Sequence, residues 1–190
     1  MQASQREEQN HALEFAITKA NKLNEPLLVY FGITDNYPEA NQRHYYFMLE
    51  GLKEVQSSLE KRGIQTLIQH ISPEKDVTEL AKMASLVAVD RGYTKIEQIW
   101  RNFVANNVTC PLIQVESNLV IPVEVASPKE EYSAATFRPK IKKHRNHYLK
   151  TVERINPKRS RAQSKFSYFS IKTTNAAISK LNISRNVKPS

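Results

Sequence analysis

Three polar clusters in this 190-residue chain each follow a short apolar run: Thr34–Asp35–Asn36 after LLVYFGI, Asp90–Arg91–Gly92 after SLVAV, and Glu116–Ser117–Asn118 after PLIQV. In an open parallel sheet, ligands gather beyond the C-terminal ends of the strands. Asp35, Asp90, Arg91, Glu116 and Asn118 are therefore the candidate cofactor-binding residues. Carboxylates, a guanidinium and an amide on one rim suit the polar edges of a planar ligand. The opening MQASQR loop belongs to the same rim. Each of these residues also suits helix capping or loop solvation, and it is their convergence that favours a binding role.

Other chemical patterns point away from common enzyme classes. The four glycines, Gly32, Gly51, Gly63 and Gly92, are dispersed. A GxGxxG or GxxxxGK phosphate cradle needs them clustered, which argues against an NAD- or ATP-dependent enzyme. No GxSxG nucleophile elbow occurs. His144 and His147 have ligand-like spacing but sit among basic side chains that repel a cation, so they read as surface residues rather than a metal site. Cys110 is the single cysteine, which excludes an intrachain disulfide and a thiolate cluster. Arg43, His44, Tyr45 and Tyr46 mix basic and aromatic groups on which bases can stack. Tyr45, Leu49 and Leu52 nevertheless share one helical stripe, the pattern of core packing. Trp100 likewise fits the inner face of its helix.

The elements that place the rim alternate in type. Apolar spacing over EEQNHALEFAITKANKLN predicts a helix closed by Pro26, and LLVYFGI predicts a strand buried on both faces. A long amphipathic helix over NQRHYYFMLEGLKEVQSSLEKRG stops at Gly63. IQTLIQHI, SLVAVD, PLIQVES and LVIPVEV predict further strands. Ser72–Pro73 starts one intervening helix, the Thr94/Glu97 pair another, and Ser127–Pro128–Glu130 a short one. Strands alternating with helices of this length define an α/β fold, a Rossmann-like doubly wound parallel sheet. Such a sheet normally opens on a central strand, whereas this chain opens on a loop and a helix, so the first strand is expected to be missing.

Charge divides the chain in two. Residues 1–135 carry 13 Lys and Arg against 18 Asp and Glu, a net −5, whereas residues 136–190 carry 15 against one, a net +14. The expectation is an α/β domain over 1–135 and a basic, linker-like tail over 136–190. Ile141, Tyr148, Val152 and Ile155 form a thin stripe sufficient for one marginal helix in that tail. Phe166, Tyr168, Phe169, Ile171 and Leu181 are too apolar for a free linker and should pack on a surface. Weak, salt-sensitive polyanion binding by residues 138–190 follows from the charge alone. No apolar run reaches the roughly 18 residues of a membrane span, and the polar start MQASQREEQN is unlike a secretory signal, so no membrane role and a cytoplasmic location are expected.

Taken in order, MQASQREEQNHALEFA, RHYYFMLEGLKEV and QVESNLVIPVEVASPKEEYSAATFRPKI resemble successive segments of the class II cyclobutane pyrimidine dimer DNA photolyases. In the first, Gln5, Arg6, Asn10, Ala12 and Leu13 match the family pattern; the last ends on the family's Arg-Pro-Lys-Ile. The resemblance runs from Met1 to about Ile141 and makes the tail similar to the family's interdomain connection. It implies an α/β domain holding a light-harvesting antenna, a deazaflavin or a folate. It also implies a following helical domain that holds FAD and UV-damaged DNA. In that family, light reaching reduced FAD leads to electron transfer that splits the dimer. Three departures stand beside it. The family's hydrophobic strand before the position of Met1 is missing, His11 replaces a usual aromatic residue, and the FAD-binding domain would begin past Ser190. With one tryptophan and no FAD site, this chain alone is expected not to be catalytic. A stand-alone α/β module binding a small ligand or a polyanion is the competing reading.

Overall fold

Helices begin where the sequence supplies a capping acceptor or a proline. The computed structural model describes residues 1–160 and 167–189. In helix α1 (His11–Leu23), the Asn10 side chain accepts the Leu13 N–H, and Asn24 ends the helix in the left-handed region. Helix α2 (Gln42–Lys61) is capped by Asn41, and Gly63 follows it at φ +75, a conformation that suits glycine. Helix α3 (Pro73–Ala81) has its proline in the first turn. At the start of α4 (Lys95–Asn107), the Glu97 carboxylate accepts the Thr94 N–H at 3.0 Å.

Four of the expected strands form: β1 (Leu28–Ile33), β2 (Gln65–His70), β3 (Val87–Asp90) and β4 (Leu112–Val115). They pair in parallel as β1–β2 and β3–β4, with Leu28 opposite Gln65 and Val87 opposite Leu112. The two pairs are not hydrogen-bonded to each other. A cavity of about 460 Å³ separates β1 from β3. The architecture is the expected α/β fold with parallel strands, but its sheet is split into halves in the order β2, β1, gap, β3, β4.

One face of the β1–β2 half packs on α1 and α2. Leu13, Ile17, Val29, Val55, Leu59 and Ile64 form one apolar cluster there, and Phe31, Ile33, Tyr45, Leu49, Leu52 and Ile68 belong to another. Each fully buried leucine contributes about 2 kcal/mol relative to exposure. Tyr45, Leu49 and Leu52 are thus core, as their spacing predicts. On the opposite face α3 packs on β1 and α4.

The segment after β4 departs from expectation. Residues 119–125 form no strand; a loop leads into the single turn α5 (Val123–Ala126), with Pro122 at its N-cap. Proline lacks the N–H a ladder needs, and its fixed φ suits a helix start. The helix expected from Ser127 begins instead at Ala134, where the Ser133 hydroxyl accepts the Thr136 N–H. This α6 (Ala134–Tyr148) includes Ile141 and Tyr148, but Val152 and Ile155 lie beyond it.

The tail is built into the domain. Ile171 and Leu181 are buried, with Ala177 and Ile178 of α7 (Thr174–Ile178), in the cluster under α2. Phe169 packs against that cluster and Tyr168 is exposed, while Phe166 lies outside the described residues. The Phe169 N–H donates to the Ile68 carbonyl, and Gln69 Nε2 donates to the Ser167 carbonyl at 3.1 Å, so the tail covers the outer edge of β2. Among the described residues no helix is long and apolar enough to cross a membrane.

Candidate functional site at the strand ends

Four of the five candidate residues meet at the ends of β3 and β4. Asp90, the last residue of β3, is 5% exposed. Its carboxylate accepts the backbone N–H groups of Gln2 at 3.0 Å, Ala3 at 2.8 Å, and Ser4. Burial opposes ionisation here, but the N-terminal ammonium and the three N–H donors outweigh it, holding the carboxyl below its ordinary range. Asn118 accepts from the Ser4 hydroxyl and donates through Nδ2 to the Arg91 carbonyl at 3.2 Å.

Arg91 and Glu116 face outward from this knot. The Arg91 guanidinium makes a two-pronged pair with Glu124 of α5, one prong at 2.8 Å, and lies 5.0 Å from the Tyr93 ring centroid. That pairing pulls the exposed Glu124 carboxyl down to about 2. Glu116 accepts the Tyr93 hydroxyl and the N–H groups of Asn118 and Leu119 at 2.9 and 3.1 Å. The Tyr93 phenol is pushed up to about 12, first by burial and then by its bond to Glu116.

Asp35 stands on the other half of the sheet. Its Oδ1 lies 2.8 Å from His70 Nε2, joining the loop after β1 to the end of β2, and the His70 ring meets Phe169 edge-on at 5.6 Å. Between the halves, Tyr37 contacts Trp100 edge-on at 6.1 Å, and its hydroxyl lies 3.3 Å from Thr94 Oγ1. Trp100 therefore borders the gap rather than sitting within a closed core.

The opening loop ties the ends of β1, β3 and β4 together. Arg6 donates to the carbonyls of Ser117 and, at 3.2 Å, Gln9. Asn10 Nδ2 donates to the carbonyls of Ser4 and Arg6, and the Ser117 hydroxyl accepts the Ala12 N–H at the start of α1. Gln2 bridges the halves: its backbone N–H reaches Asp90, while its side-chain amide pairs with both the N–H and the carbonyl of Gly32 on β1.

Sequence reasoning did not single out Gln2, Ser4, Tyr93, His70 or Glu124. The position of MQASQR placed the opening loop on the rim, and the QR-x-x-x-N pattern around Gln5, Arg6 and Asn10 marked it as a built element. Its structural sense is now visible in the bonds of Arg6 and Asn10.

The family model described as DNA photolyase matches residues 1–160. The deoxyribodipyrimidine photo-lyase of Methanothermobacter thermautotrophicus is 50% identical over 149 residues, covering 78% of this chain and 34% of that protein. The photo-lyase of Potorous tridactylus is 30% identical over 153 residues, covering 78% of this chain and 29% of that protein. An archaeal photolyase from Sulfolobus tokodaii, crystallised with two FAD molecules, superposes with a TM-score of 0.70 at 17% identity, covering 98% of this chain and 43% of that one. This chain spans about a third of the length of the curated relatives it matches. With the family model matching the whole α/β region and the opening loop, the chain belongs to the DNA photolyase family.

Proposed function

We propose that this chain is the N-terminal, antenna-holding part of a light-dependent deoxyribodipyrimidine photolyase that repairs UV-induced cyclobutane pyrimidine dimers. The observation that carries the reading is the family match over residues 1–160, which includes the loop that ties the strand ends together. The ordered motifs of Gln5, Arg6, Asn10 and the Arg138–Pro139–Lys140–Ile141 run support placement in class II. UV-damaged DNA and FAD are partners of the longer enzyme. Residues 136–190 act in this reading as the connection to a helical domain, and residence is cytoplasmic.

The rim carries the polar groups an antenna chromophore would need. Arg91, Glu116 and Asn118 present polar edges around Tyr93, while Asp35 lies on the other half, paired with His70. A deazaflavin or folate would supply absorption of near-ultraviolet to blue light. Arg91 and Asn118 would hold its polar edge, Glu116 would accept from it, and Asp90 would fix the loop beneath. The test is a titration of this chain with a deazaflavin and with a folate, read by chromophore fluorescence. Saturable binding weakened at least about tenfold by Arg91→Gln supports the reading, each factor of ten being about 1.4 kcal/mol. Failure of a longer protein containing this chain to split dimers under blue light would overturn the repair assignment.

A further inference from the structure

Helix α6 carries its cations on an open side. Between Glu131 and Glu153 the sequence has six Lys and Arg and no acid. At about 3.6 residues per turn, Phe137, Ile141 and Tyr148 fall on one side of the helix, and Arg138, Lys142 and Arg145 form a stripe on another. Phe137 and Ile141 line a groove with Leu119 and Val123, so the apolar side docks α6 on α5 and the loop before it. Lys140 is engaged on that domain side, donating to Ser127 Oγ at 3.1 Å and to Glu131. Arg138, Lys142, Lys143 and Arg145 are exposed, and among the described residues none of them has a carboxylate partner.

This arrangement opposes the helix that bears it. Like charges three or four residues apart repel, and Arg138 with Lys142, and Lys142 with Arg145, are such pairs. Pro139 removes a backbone hydrogen bond from the same helix. None of its residues is buried, so core packing does not offset the loss. An anion on the stripe would turn the repulsion into attraction. Arg and Lys side chains only donate, so the complement of the stripe is a line of acceptors. From Arg138 to Arg145 the stripe runs about 10 Å, at roughly 1.5 Å per residue. One strand of a DNA duplex presents a phosphate every ~3.4 Å of axis, so about three phosphates lie within that length.

We infer that α6 is a docking helix for the phosphate backbone of duplex DNA, contacted by Arg138, Lys142 and Arg145 with Lys143 at the margin. Phosphate contacts position a protein on a duplex without reading its bases, so the site is indifferent to sequence and to damage. The rest of the tail is not equivalent to α6. Arg154 is paired with Glu7, Lys180 lies over the Phe169 ring at 5.5 Å, and Lys172 and Lys188 stand apart from the helix in sequence. The stripe shares no residue with the rim at the ends of β3 and β4, so DNA binding here is independent of a chromophore there.

The test uses the whole chain and a short, undamaged, fluorescein-labelled duplex, with anisotropy followed between about 50 and 200 mM salt. Affinity should fall with a logarithmic slope of about −0.9 for each phosphate neutralised. The triple variant Arg138→Gln, Lys142→Gln, Arg145→Gln should flatten that slope by about 3 and weaken binding at least about tenfold at the lower salt. It relieves like-charge pairs on an exposed face, so far-ultraviolet circular dichroism and the melting temperature should be retained. Lys172→Gln, Lys180→Gln, Lys188→Gln removes the same charge elsewhere in the tail and should change the slope by less than about 1. In the wild type, amide exchange across residues 142–148 should slow when the duplex is added. Equal losses of slope in the two triple variants, or unchanged exchange in α6, would overturn the inference and leave only attraction by net charge. So would equal affinity for phosphatidylserine vesicles, which would make α6 a membrane-surface helix.

Discussion

Replacing Asp90 with asparagine tests whether the rim is held by one buried carboxylate. In the wild type Oδ2 accepts Ala3 and Ser4, and Oδ1 accepts Gln2. An amide keeps one acceptor oxygen, so at least one N–H is left facing a donor. A hydrogen bond to a charged group contributes about 1.5–3 kcal/mol and a neutral one about 1. One bond removed and the others weakened sum to about 4 kcal/mol, and relief from burying a charge offsets part of it, leaving a cost of about 2–4 kcal/mol. Chemical denaturation followed by circular dichroism measures this, and hydrogen exchange at Gln2, Ala3 and Ser4 localises it. The acid limb is a second readout. Because the folded carboxyl is held below its ordinary value, its contribution is full above the unfolded pKa, about 3.9, and is lost as pH falls through the lower folded value. Asp90→Asn should therefore flatten that part of the stability profile. A loss under about 0.5 kcal/mol, or an unchanged acid limb, would refute the assignment of Asp90 as the anchor.

Four other outcomes follow from particular interactions. Arg62 is buried between Glu7 and Glu14 at 2.7 and 2.8 Å and also reaches the Ile155 carbonyl, so Arg62→Met should cost about 3–5 kcal/mol in denaturation and expose residues 150–158 to protease. A Cβ on Gly32 would lie 2.7 Å from Pro73 Cα, so Gly32→Ala should destabilise by about 1–3 kcal/mol in urea; no change would mean α3 is seated elsewhere. Carbon-detected titration should place Glu124 at about 2, and Arg91→Gln should return it to the ordinary range near 4.3. Binding of duplex DNA by the tail should weaken steeply with salt, and replacing Lys142 and Lys143 with glutamine should reduce the logarithmic slope by about 1 for every phosphate left unneutralised.

Local patterns carried most of the architecture. Pro73, Thr94 with Glu97, and Gly63 mark helix ends by chemistry confined to a few residues, and four apolar runs became strands. The run at 119–125 misled because its branched apolar residues have strand character, while Pro122 turns the chain into α5. The rim residues were found as strand ends, but their partners were not. Asp90 meets Ala3 across 87 positions and Asn118 meets Ser4 across 114, distances at which neither spacing nor propensity carries information. The tail shows the same division. Ile171 and Leu181 were legible as buried by composition, whereas the backbone bonds that lay Val152, Ile155 and Lys158 against Gln9, Glu14 and Asn21 were not.

The rim and the gap are joined through Gln2, and that connection separates the roles of the candidate residues. A carboxylate has about four lone-pair sites, and Asp90 commits three to the opening loop. Its capacity for a ligand is correspondingly small, and its effect on one is through the loop it holds. Arg91 and Glu116 instead exchange bonds with exposed or half-buried side chains, Glu124 and Tyr93, which a ligand can replace without unseating the backbone. Asp90→Asn should therefore act on a ligand at Arg91 only through that loop and weaken chromophore binding less than Arg91→Gln does; an equal or larger loss in the same titration would place Asp90 in direct contact with the ligand.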